Sequence, residues 1–154
     1  MSTASSTAVK KRTTLVLPIV VGGAAAGTFD LIAAFVSSGF NVPRVIAAGL
    51  LGSQAIRSTH PAIWVLGVLL HFFIAFSAAA IYCLASRKLE FLKEHFVVCG
   101  LFFGIAVFLV MYLVVMPLCA FHYKGPYTLT YLLQAVTIHM VLIGLPIAAA
   151  CARF

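Results

Sequence analysis

Residues 15–36 read LVLPIVVGGAAAGTFDLIAAFV, an apolar run of about 22 residues. Within it, Gly22-Gly23-Ala24-Ala25-Ala26-Gly27-Thr28-Phe29-Asp30 ends in an acid, while the other two acids, Glu90 and Glu94, sit in a charged stretch. A run of this length covers the roughly 30 Å of bilayer hydrocarbon as a helix, since a span needs about 20 apolar residues. A cleavable signal peptide is the competing reading, but its apolar core would be only about 7–15 residues long. The run is therefore read as an uncleaved first span.

Outside it the same pattern recurs, at about 62–86, 96–117 and 130–153. The chain is 64% hydrophobic and 8% charged, against about 25% charged for a soluble domain. A core of this size cannot hide so much apolar surface, so lipid is the expected solvent. Helices follow, because backbone groups in lipid must bond within their own segment and four spans cannot close a barrel. The expected fold is an all-α four-transmembrane-helix bundle over residues 15–154, preceded by a polar, Ser/Thr-rich cytoplasmic tail at 1–14.

The net charge of +7 reflects three acids rather than many bases. The bases cluster at the ends of apolar runs instead of forming one basic face, which argues against a nucleic-acid partner. Lys10, Lys11, Arg12, Arg87, Lys88, Lys93 and Arg153 fall on one side of the spans, and Arg44, Arg57 and Lys124 on the other. The excess places both termini in the cytoplasm. The first external connection carries Asn41, Pro43 and an apolar stretch to Arg57. Pro43 suits a first helical position, and about fourteen helical residues are too few to span. A short interfacial or re-entrant helix is expected there, anchored by Arg44 and Arg57. His122, Lys124, Gly125, Pro126 and two tyrosines mark the second external loop as an interfacial turn.

Small residues recur at helical spacing. Gly23, Gly27 and Asp30 share a face of the first span, Gly67 and His71 a face of the second, and Gly100 and Gly104 a face of the third. Such faces let helix backbones approach closely in lipid. His71 and His139 each lie about nine residues inside spans that enter from the same side, close to mid-depth at 1.5 Å per residue. Asp30 lies somewhat nearer the exterior, so the three are expected in one layer. An ionisable group there costs about 2.5–3.5 kcal/mol and marks a functional candidate. A proton-linked transport or sensing site is one reading. A second is a packing role in which Asp30 bonds a histidine or tyrosine and locks helices together. A third takes His71 and His139 as axial ligands of haem b; otherwise no cofactor is expected, and a metal is left open. No HExxH, GxSxG or carboxylate pair is present, so no catalytic residue is assigned and an enzyme is not expected. Cys83, Cys99, Cys119 and Cys151 lack CxxC spacing and are read as small apolar packing residues.

The segment His71-Phe72-Phe73-Ile74-Ala75-Phe76-Ser77-Ala78-Ala79-Ala80-Ile81-Tyr82-Cys83, the Gly100 helix ending Met116-Pro117-Leu118, and His139 resemble the YagU-like group of small bacterial inner-membrane proteins, a family of unknown function. The resemblance covers roughly residues 15–154. It implies a multi-span helical protein of the bacterial inner membrane, and no activity or ligand. Beyond the bilayer itself, a homo-oligomer or a membrane-complex partner is expected, because four helices enclose little volume.

Overall fold

The computed structural model describes residues 15–122 and 128–154. Its described residues form helices and no strand, in the order α1 (Val16–Ser38), α2 (Val42–Leu51), α3 (Gln54–Arg57), α4 (Pro61–Lys88), α5 (Phe91–Glu94), α6 (Phe96–Leu118) and α7 (Leu129–Arg153). Four of these, α1, α4, α6 and α7, are long and apolar enough to cross a membrane. Their bounds fall within two residues of the hydropathy reading. The chain is an all-α, multi-pass membrane protein. The polar tail at 1–14 lies outside the described residues.

Side-chain distribution fits lipid as solvent. Leu69, Phe73, Phe102 and Leu113 are 62–70% exposed, an apolar sheath that water would not tolerate. The interior is instead built from small residues, with Ala26, Ala79, Ala148 and Ile147 at its centre beside Tyr82. The first helix packs against both α4 and α7, and α7 packs in turn against α6. Glycines set these approaches. A methyl group added at Gly104 would overlap the His139 carbonyl and Met140, and one at Gly144 would overlap the Gly100 carbonyl. At Gly22 it would press on Ile147 and Ala150 of α7.

Both α6 and α7 contain a widened π-helical turn, at Met111–Val115 and His139–Gly144. Each lies just before a proline, Pro117 or Pro146. Proline supplies no N–H and its ring crowds the carbonyl four residues earlier, so the ladder slips by one residue there.

The helix expected between Pro43 and Arg57 is shorter than predicted. It divides at Gly52, whose φ of 85° lies in the left-handed region, and Gly39 precedes it with a φ of 81°. Glycine accepts that conformation without strain. The ten-residue α2 does not merely rest on a surface. Pro43, Ala47 and Ala48 are buried, and the Pro43 backbone lies directly over Gly67 of α4. Trp64 donates from Nε1 to the Phe40 carbonyl at 3.1 Å, and Ala120 N–H donates to the Gly49 carbonyl at 2.8 Å. These bonds hold α2 against α4 and the end of α6.

One expectation needs correction. Cys83 of α4 and Cys151 of α7 are joined by a disulfide with a Cα–Cα distance of 5.5 Å, across a sequence separation of 68. Both lie near the C-terminal ends of parallel helices, so their depths match. Which face each thiol presents depends on helix rotation, which spacing does not reveal. Cys99 and Cys119 are free thiols.

Gly67→Ala should cost about 1–3 kcal/mol or more, because the obstructing atoms are backbone and cannot swing aside. Gly49→Ala meets only the Cys119 Cβ at 3.7 Å and should be neutral or slightly stabilising. Unfolding titrations of the two variants in mixed micelles compare them directly.

Candidate functional site

Where the two π-turns begin, the bundle opens. Met111 starts the turn in α6 and His139 the turn in α7, and both line a cavity of about 90 Å³. Asp30 and Gly27 contribute from α1, His71, Ile74 and Ala78 from α4, and Ile46 from α2. The structure therefore brings Asp30, His71 and His139 to one cavity. A water's share of liquid volume is about 30 Å³, so the space suits a few waters or one small ion.

The three polar side chains are engaged differently. His71 Nε2 lies 2.8 Å from the Gly27 carbonyl across the α1–α4 contact. A carbonyl only accepts, so Nε2 carries the proton and donates. Gly27 permits this approach, since a side chain there would meet the Phe72 ring and Ala75. His139 Nδ1 lies 2.8 Å from the Ala135 carbonyl of its own helix and donates to it by the same reasoning. Edge-on aromatic rings steady both imidazoles, Phe72 against His71 and Phe108 against His139, each with centroids 5.6 Å apart. Asp30 makes no hydrogen bond or ion pair among the described residues. It is half-buried and faces the cavity.

This separates roles that the sequence left merged. The helix-locking bond belongs to His71 and Gly27, and Asp30 is uncommitted among the described residues. Among the described residues no three His, Cys, Asp or Glu side chains are grouped to hold a metal ion. For haem b, both imidazoles would have to bind one iron from opposite faces of a porphyrin. Here His71 Nε2 is spent on Gly27, and the cavity is far smaller than a porphyrin.

The other candidates lie apart. Arg44 donates from Nη1 to Asn41 Oδ1 at 3.1 Å, bracing the first turn of α2. Arg57 is exposed at the end of α3. His122 is exposed, adopts a left-handed φ of 46° and hydrogen-bonds the Pro117 carbonyl through Nδ1 at 3.1 Å. Lys124 lies outside the described residues. Gly23, Gly27, Gly67, Gly100 and Gly104 all stand at close helix approaches, and Gly22 and Gly144 join them. Sequence reasoning missed Met111 and Ile46 as cavity residues. Pro117 and Pro146 were the available signal for the π-turns, but spacing does not show that both turns open toward one space.

No protein family matches the chain. No curated protein and no solved structure matches it either.

His71→Leu should remove the α1–α4 side-chain bond and lower stability by about 0.6 kcal/mol and by no more than about 2 kcal/mol, as such bonds between membrane helices do. Asp30→Asn, which breaks no hydrogen bond among the described residues, should leave the melting temperature close to wild type. Thermal unfolding in detergent distinguishes the two roles.

Proposed function

We propose that this is a small transport or sensing protein of a bacterial inner membrane that works through the protonation of Asp30. The observation that carries the proposal is a carboxylate facing a small cavity within the helix bundle, with no hydrogen-bond or ion-pair partner among the described residues. A charged group at that depth costs about 2.5–3.5 kcal/mol, and a purely structural aspartate would offset this cost with a hydrogen bond. Two imidazoles lining the same cavity supply further proton-accepting groups. On α2, Arg44 donates from Nη1 to Asn41, while its Nε is buried without a hydrogen bond among the described residues. The Tyr112 ring is tilted against that of Phe108, with centroids 4.7 Å apart. Nothing in this arrangement pairs a nucleophile with a base, which favours a non-enzymatic role.

On this reading both termini are cytoplasmic, following the excess of bases at that side, and the cavity lies toward the outer half of the bilayer. The resemblance to YagU-like proteins accords with an inner-membrane location. Such an orientation sets the Cys83–Cys151 disulfide at the cytoplasmic end, where thiols are ordinarily kept reduced. Burial to 1% and 2% exposure shields it from soluble reductants.

Proteoliposomes loaded with a pH-sensitive dye test the Asp30 proposal. Wild type should dissipate an imposed pH gradient, and Asp30→Asn should behave as protein-free vesicles do. Equal dissipation by both would sink the proposal. Orientation is read separately by thiol labelling of spheroplasts with a membrane-impermeant maleimide. Cys119 should react in intact spheroplasts and Cys99 only after permeabilisation, with Cys83 and Cys151 reacting only after unfolding in reductant. The reverse order for Cys99 and Cys119 would invert the topology.

A further inference from the structure

The cavity presents hydrogen-bond acceptors and no free donor among its lining side chains. In a neutral imidazole one nitrogen donates and the other accepts. His71 spends its Nε2–H on the Gly27 carbonyl and His139 its Nδ1–H on the Ala135 carbonyl. The nitrogens left over, His71 Nδ1 and His139 Nε2, are therefore acceptors. Asp30 adds two carboxylate oxygens, and Met111 a weakly accepting sulfur. The remaining lining side chains are alanine, valine and isoleucine, without a lysine, arginine, serine, threonine or tyrosine. A net negative, acceptor-only cavity of about 90 Å³ calls for a small cation that is itself a hydrogen-bond donor.

From this chemistry we infer that the cavity binds ammonium or a small primary alkylammonium ion. The inference rests on the reading of Asp30 as the working group and names its ligand. Hard alkali ions prefer shells of oxygen ligands, whereas here only the carboxylate supplies side-chain oxygens among mostly nitrogen and sulfur acceptors. Transition metals would suit imidazole, but no three ligating side chains are grouped to hold one among the described residues. An N–H cation needs no fixed coordination shell. It is satisfied by separate acceptors around it, directly or through one of the few waters the cavity has room for. A methyl group on the ion would meet the apolar wall formed by Ile46, Ile74 and Ala78.

The test uses the full chain in nanodiscs at neutral pH and constant ionic strength. Its melting temperature is followed against ammonium, methylammonium, potassium and tetramethylammonium chlorides. At about ten times the dissociation constant, ammonium and methylammonium should each raise it by roughly 3–6 °C. Potassium has the charge without the N–H groups, and tetramethylammonium is charged, bulky and without N–H, so neither should shift it. Asp30→Asn should abolish the ammonium shift. Ile46→Phe, which fills the cavity and leaves the carboxylate in place, should abolish it too, so the result stands even if Asp30→Asn folds poorly. An equal shift with potassium, or an ammonium shift that survives Ile46→Phe, would overturn the inference. No ammonium shift in wild type, together with Asp30-dependent proton flux, would remove the ligand and leave the proton reading intact. An ammonium shift lost in Asp30→Asn without any Asp30-dependent flux would do the opposite.

Discussion

The bundle depends on helix backbones that come into direct contact. Lipid offers no hydrophobic force to drive helices together, so association rests on close packing and on hydrogen bonds between helices. Here Gly104 lies against the His139 carbonyl and Gly144 against the Gly100 carbonyl, with no space for even a methyl group. The same holds for Gly67 beneath Pro43. Large side chains are displaced outward as a consequence, and Phe73, Phe102 and Leu113 face the surroundings while alanines fill the interior.

Tight contact at the glycines has a counterpart in local opening. Prolines late in α6 and α7 force π-turns at Met111–Val115 and His139–Gly144. A π-turn widens the helix and rotates the residues that follow it. Because α6 and α7 are neighbours held by glycine contacts, the two irregular turns border one space, and α2 borders it through Ile46. Backbone irregularity in a membrane is tolerated where protein or a cavity surrounds it. The cavity is thus a product of the packing rather than an addition to it.

Within that space the polar groups divide the work. His71 reaches the Gly27 carbonyl and holds α1 to α4, and His139 is steadied by its own helix and by Phe108. Both hydrogen bonds set the tautomers and so decide which nitrogens remain as acceptors. Asp30, on the same face as Gly27, has no such partner among the described residues. A group without such a partner among the described residues that is costly to place in lipid is a candidate for function, and the proposed function rests on it.

Composition and periodicity determined the solvent, the four spans and the shared faces. Apolar run lengths reflect bilayer thickness, and a repeat of three or four residues reflects the helical pitch, so both are written locally in the chain. Depth was legible for the same reason, because rise per residue is constant, and this placed Asp30, His71 and His139 in one layer. Tertiary structure alone decided the rest. Rotation of α4 against α7 brought Cys83 to Cys151, and rotation of α1 against α4 gave Gly27, not Asp30, to His71. Gly52 broke the expected outer helix in two, and its left-handed φ was not readable from a glycine within an apolar stretch. These outcomes depend on which atoms of distant segments meet at full packing density. Spacing within one helix sets depth and face, but the partner of that face is chosen only when the helices dock.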